Sequence, residues 1–104
     1  MNQNVETMIE QVNRRPRNEP LNLFTALGAK QIVYSDKDNF VQFSVKGDRD
    51  VNKVVVRYNM GSDLYDVEFW NINMKKVTMD KVDQEIGLFN DQVTDAIWRR
   101  VVLT

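Results

Sequence analysis

The runs Asn39 Phe40 Val41 Gln42 Phe43 Ser44 Val45 Lys46, Val51 Asn52 Lys53 Val54 Val55 Val56 Arg57 Tyr58 and Leu64 Tyr65 Asp66 Val67 Glu68 Phe69 Trp70 Asn71 Ile72 Asn73 Met74 decide the fold. Each is rich in β-branched and aromatic residues. Gly47 Asp48 Arg49 Asp50 and Gly61 Ser62 Asp63 supply turn chemistry between them. Reversals this short make consecutive strands antiparallel neighbours, so the three runs read as a meander. Side chains alternate across a strand, which puts Val41, Phe43 and Val45 on one face with Val54, Val56 and Tyr58. That face is the predicted core.

The third run changes phase: Tyr65, Val67 and Phe69 hold odd positions, whereas Trp70, Ile72 and Met74 hold even ones. Either both faces of this strand are covered, or an extra residue near Phe69 and Trp70 makes a bulge that bends it toward a second wall; the bend is the favoured reading. Gln31 to Ser35 reads as a strand before the meander, turning through Asp36 Lys37 Asp38 Asn39. After Lys75 Lys76, another short strand is predicted around Val77 to Met79 or on to Val82.

Helical spacing brackets these strands. Val5, Met8, Ile9 and Val12 form one stripe between Asn4 and Arg15, with Asn2 or Asn4 as cap and Pro16 as stop. Leu21 to Leu27 fits a two-turn helix with Pro20 in its first turn and Gly28 past its end. From Asn90 onward Val93, Ala96, Ile97 and Val101 recur at helical spacing, with Asn90 or Asp91 as cap and Arg99 and Arg100 late, as the helix dipole favours. Trp98 and Val102 widen the apolar face of this last helix and are candidate protein-interface residues. The predicted class is α+β in one domain over residues 1–104: an N-terminal helix, a strongly bent antiparallel meander of four to five strands, and a C-terminal helix. The meander forms either a small barrel or a helix-covered open sheet.

Composition narrows the chemistry. The 104 residues are 42% hydrophobic and 28% charged, with 14 basic against 15 acidic side chains, a globular mix without a global field for nucleic acid or an anionic membrane. The chain holds neither cysteine nor histidine, which removes thiolate and imidazole nucleophiles, bases and metal ligands. No glycine-rich phosphate loop or nucleophile elbow occurs, so a non-enzymatic role without cofactor or metal is expected. The acid pairs Asp36 with Asp38, Asp48 with Asp50, and Asp63 with Asp66 lie in or beside predicted turns, where aspartate bonds nearby backbone. The opening residues carry neither a basic region nor an apolar run, and no stretch of about 20 apolar residues is present. A cytoplasmic, non-membrane protein is expected.

Three basic clusters remain: Arg14 Arg15 with Arg17, Lys75 Lys76, and Arg99 Arg100. If the first two converge beside Trp70, the site suits single-stranded nucleic acid, with phosphates on Arg14, Arg15, Arg17, Lys75 and Lys76 and a base stacked on Trp70. Phe40 Val41 Gln42 Phe43 matches the closing half of a ribonucleoprotein motif, but Asp36 Lys37 Asp38 Asn39 replaces its basic opening. The ordinary reading puts Phe43 in the core and Phe40 over a sheet edge.

Ala26 Leu27 Gly28 Ala29 Lys30, Phe40 Val41 Gln42 Phe43, Val51 to Val56, Asp63 Leu64 Tyr65 Asp66 Val67 Glu68 Phe69, and Ile86 Gly87 Leu88 Phe89 Asn90 Asp91 Gln92 Val93 together resemble a family of small proteins from bacteriophage genomes and environmental samples. The likeness covers residues from about 23 to 97. It implies a viral or host-cell setting, in the host cytoplasm or a virion, and carries no activity with it. The order of one helix and four or five short strands is also similar in outline to Sm-like RNA-binding barrels, although the Arg-Gly pair of their late strand is missing and the last helix is an addition. Two roles follow as expectations. One is an accessory or assembly module working through protein contacts as a homo-oligomer or with a partner; the other is a small barrel that binds RNA or single-stranded DNA.

Overall fold

The computed structural model describes residues 3–45 and 50–103. The reversal expected at Gly47 Asp48 Arg49 and the Asn2 cap lie outside them, as does the Asn4 side chain. Helix α1 spans Gln3–Val12 and buries Val5, Met8 and Val12. It stops short of Arg15 because the next residues serve another element. The Asn13 side chain accepts the Phe24 N–H at 2.8 Å, and the Arg14 carbonyl accepts the Leu23 N–H at 2.9 Å. These bonds satisfy the first donors of helix α2, Leu23–Leu27, which a free helix start leaves orphaned. Pro20 thus precedes α2 instead of sitting in its first turn. Gly28 closes α2 in the left-handed region at φ 62°, where a Cβ is disfavoured.

Five antiparallel strands follow in sequence order: β1 (Lys30–Ser35), β2 (Phe40–Ser44), β3 (Lys53–Asn59), β4 (Leu64–Asn73) and β5 (Thr78–Leu88). Phe43 faces Val54 and Val41 faces Val56, while Val54 and Val56 face Phe69 and Val67, so the expected core face forms. Helices α1, α2 and α3 (Val93–Trp98), and the π-helical turn Arg99–Leu103 that closes the chain, pack their apolar residues on that face. Phe43, Phe69, Met8, Leu23 and Ile97 are its largest fully buried side chains.

The sheet is open, with β1 and β5 as separate edges, so the barrel alternative gives way to the helix-covered open sheet. A small barrel fills its interior with its own strand side chains, whereas here helices occupy the apolar face. The bulge expected in β4 is also corrected. Lys53 and Val54 pair without interruption with Trp70 and Phe69, so β4 keeps its alternation and presents Phe69 to one face and Trp70 to the other. The extra residues belong to β5. Val82 is inserted between Asp83, opposite Phe69, and Lys81, opposite Trp70, and a second irregularity beside Gly87 (φ 75°) separates Glu85 from Leu88.

The last helix starts after Gln92, not at Asn90 or Asp91, and the Gln92 side chain turns back to accept the Phe89 N–H at 2.9 Å. Buried Thr94 fixes this helix to α1: its hydroxyl lies 2.9 Å and 2.8 Å from the carbonyls of Gln11 and Val12, two acceptors the end of α1 leaves open. Among the described residues no helix is long and apolar enough to cross a membrane.

Candidate functional site

Alternation that sends odd residues of β2 and β4 to the helices sends the even ones to the other face, which no described helix covers. There β2 presents Phe40 and Gln42, β3 presents Lys53, Val55 and Arg57, and β4 presents Glu68, Trp70 and Ile72. Met79 and Lys81 extend the face onto β5 opposite Ile72 and Trp70. Solvated faces of antiparallel sheets are ordinarily polar. This one mixes aromatic, aliphatic and cationic groups, and Val55 is buried without belonging to the helix-side core.

A small polar network sets its centre. Glu68 Oε2 is 3.2 Å from Arg57 Nε, and Glu68 Oε1 accepts the Trp70 Nε1–H at 3.1 Å, so one carboxylate fixes both neighbours. Partial burial raises the Glu68 carboxyl, but the hydrogen bonds from Arg57 and Trp70 outweigh it and hold the group below its ordinary value. The Arg57 guanidinium also sits 5.5 Å from the centre of the Phe40 ring, within cation–π range. Around this network runs a shallow depression of about 120 Å³ lined by Val55, Trp70, Ile72 and Met79. A second depression, about 380 Å³, adjoins it through Lys53 and Ile72 and reaches Ser44, Asn52 and Met74. Together they form an open trough across the strands.

Asn52 anchors one wall of this trough. Its backbone N–H donates to the Trp70 carbonyl, its side-chain oxygen accepts the Ile72 N–H at 2.8 Å, and its amide donates to the Ile72 carbonyl at 2.8 Å. The amide side chain thus replaces a peptide unit and continues the β3–β4 ladder past the end of β3. Trp70 and Ile72 project beside this extended ladder.

The sequence-predicted residues are distributed as follows. Arg14, Arg15 and Arg17 are exposed beyond α1, on the helix side: Arg14 acts electrostatically on Tyr65, and the Arg17 N–H donates to Asp95 at 2.9 Å. Lys75 and Lys76 are exposed in the turn after Asn73, at the opposite end of β4, eight residues or about 27 Å from Tyr65 at the usual rise of a strand. Trp70 projects from the uncovered face, so these two clusters and the indole do not meet. Arg99 pairs with Glu85, and Arg100 bridges Asp50 and Asp83 at 2.8 Å each while lying over the Phe69 ring. Trp98 and Val102 are half-buried against the helix-side core.

Three aspartates of the acid pairs have partners, two of them from distant segments. Asp63 accepts the Tyr58 hydroxyl, Asp66 accepts the Gly87 N–H, and Asp50 holds Arg100. Phe43 is core and Phe40 lies under Arg57, which separates the two aromatics of the ribonucleoprotein-like run onto opposite faces. Lys53, Arg57, Glu68 and Met79 escaped sequence reasoning as site residues. For three of them the signal was available as the positions alternating with core residues: Lys53 and Arg57 beside Val54 and Val56 in β3, and Glu68 between Val67 and Phe69 in β4. Comparison of the chain with protein-family models, with curated proteins and with solved structures finds no match in any of the three.

Proposed function

We propose that the protein is a non-enzymatic interaction module, suited to an accessory or assembly role in a viral or host-cell setting, whose uncovered sheet face receives a protein partner. One observation carries this reading: Val55, Trp70, Ile72 and Met79 line an open trough on the sheet face opposite the one that packs against the helices. Exposed apolar surface rimmed by charge marks contact sites. An open trough that crosses strands suits an extended or helical segment better than a small enclosed ligand. Affinity capture from host-cell extract tests it, comparing the wild type with an Ile72→Lys, Met79→Lys double variant of unchanged circular dichroism. The expected result is a partner retained by the wild type and lost by the variant; identical captures would contradict the reading.

A second reading is favoured by the same face's cations. Lys53, Arg57 and Lys81 flank the aromatic rings of Phe40 and Trp70, an arrangement that supports single-stranded RNA or DNA through phosphate contacts and stacking. Titration of a labelled oligonucleotide at low and moderate salt decides it. Salt-sensitive binding weakened by Lys53→Gln supports nucleic acid, and no binding at low salt removes it.

A further inference from the structure

We propose that the turn between β4 and β5 is a contact for an anionic lipid surface: Met74 and Val77 enter the headgroup layer while Lys75 and Lys76 meet its phosphates. The contact needs no membrane-spanning segment. It uses the hairpin tip and not the trough, so it stands or falls separately from the function proposed above.

Three turns of one geometry single out this tip. Residues 36–39, 60–63 and 74–77 are four-residue loops, closed by Ser35 paired with Phe40, Asn59 with Leu64 and Asn73 with Thr78. In each, the side-chain oxygen of the residue before the loop accepts an N–H three positions on: Ser35 from Asp38 at 3.1 Å, Asn59 from Ser62 at 3.2 Å and Asn73 from Lys76 at 3.1 Å. In each, the last loop residue takes the left-handed conformation: Asn39 at φ 51°, Asp63 at φ 58° and Val77 at φ 52°. Asparagine and aspartate tolerate that region, whereas a β-branched residue there is an outlier. Val77 is 86% exposed, so packing within the chain does not account for it. Backbone outliers of this kind concentrate at sites of function.

The same loop reverses the charge of the other two. Asp36 Lys37 Asp38 Asn39 and Met60 Gly61 Ser62 Asp63 are each net negative. Met74 Lys75 Lys76 Val77 instead carries two cations, no acid, and two apolar side chains exposed at 81% and 86%. Anionic headgroups attract lysines close to a bilayer, and apolar side chains between those lysines gain by entering the boundary between headgroups and acyl chains. The loop holds no aromatic ring on which a base could stack, which sets it apart from sites for single-stranded nucleic acid.

Shape favours a bilayer over a protein partner. The β3–β4 ladder ends at Trp70 and Asn52 carries it to Ile72, but β4 and β5 stay paired to Asn73 and Thr78, so the tip runs past the adjoining strand. A projecting turn this small offers far less than the roughly 800 Å² per partner that a stable protein interface buries. A fluid bilayer needs no preformed complement.

Sedimentation with vesicles of equal parts phosphatidylcholine and phosphatidylglycerol, at low salt, is expected to carry the wild type down at about millimolar lipid. Vesicles of phosphatidylcholine alone are expected to leave it in solution. Lys75→Gln with Lys76→Gln is expected to weaken binding about 25-fold and Val77→Asn about fivefold. Since asparagine suits the left-handed position, the second loss is not one of folding. The chain contains no cysteine, so Thr78→Cys places a polarity-sensitive fluorophore beside the tip and Ser62→Cys places it at the opposite end of the sheet. The first label is expected to shift to the blue on anionic vesicles and the second to stay unchanged. Absent binding to anionic vesicles, equal binding to neutral ones, wild-type binding by Val77→Asn, or matching shifts of the two labels would each overturn the proposal. So would tighter binding to a short oligothymidylate at the same salt, which would assign the lysines to nucleic acid.

Discussion

Strand β4 divides the molecule into two regions of opposite character. Tyr65, Val67 and Phe69 face the helices and are buried, while Glu68, Trp70 and Ile72, interleaved with them, face outward around the trough. The helix side is a close-packed interior in which each side chain is fixed by neighbours on two layers. The other side is held by a hydrogen-bond network and by the Asn52 amide, with packing contributing less. One strand therefore separates what holds the fold from what is free to contact a partner.

The strongest way to break that division is to truncate on each side of it. Phe69→Ala empties a fully buried ring position and is expected to cost about 3–5 kcal/mol in urea unfolding, whereas Ile72→Ala, further along the same strand, is expected to cost about 1 kcal/mol. Comparable losses would mean that the outer face is packed like a core. Next in size is Asn52→Leu. It removes a donor and an acceptor while leaving the Ile72 backbone groups part-buried, and a loss of about 2 kcal/mol is expected, with amide exchange at Ile72 accelerating more than at Val67. Unchanged exchange at Ile72 would show that the side chain does not extend the ladder.

A smaller effect sharpens the contrast in the turn between β4 and β5. Val77 follows Lys76 in the turn to β5, is 86% exposed, and adopts φ 52°, a conformation that crowds a Cβ and is rare for a β-branched residue. Val77→Asn is expected to stabilise the chain by about 0.5–1 kcal/mol, since asparagine tolerates this region. A loss of stability would imply that the valine side chain is anchored.

The smallest effect belongs to Arg100, at the rim of the helix side. Its hydrogen bonds hold the carboxyls of Asp50 and Asp83 below their ordinary value of 3.8. Groups depressed in the folded state contribute stability above their unfolded value and lose it as pH falls through the folded one. Wild type should thus lose its margin over Arg100→Met as pH is lowered below about 4, and added salt should shrink that margin because both carboxylates are largely exposed. A margin independent of pH would assign the effect of Arg100 to its packing over Phe69.

Much of this architecture was legible in the chain. The alternation of Val41, Phe43, Val54 and Val56 specified one apolar face, and the stripe of Val5, Met8 and Val12 specified a helix to cover it. The phase change at Phe69 and Trp70 was visible but ambiguous, because an extra residue in either of two paired strands satisfies the same pattern; β5 carries it, at Val82. The strand expected to end by Val82 runs to Leu88 because an edge strand, exposed at nearly every position, shows no burial period to read. The partners of Arg99 and Arg100 come from distant segments, so a cluster of two arginines looked free in sequence and is engaged in the fold. The outer face went unread for a related reason: Lys53, Arg57 and Glu68 acquire meaning only when three strands set them side by side.

The division between the two faces can be measured directly in the free chain by methyl NMR with a soluble paramagnetic agent. The methyls of Ile72 and Met79 should broaden strongly while those of Val41, Val56 and Val67 stay sharp. Equal protection of both groups would show a covered outer face and contradict the one-sided sheet on which the proposed function rests.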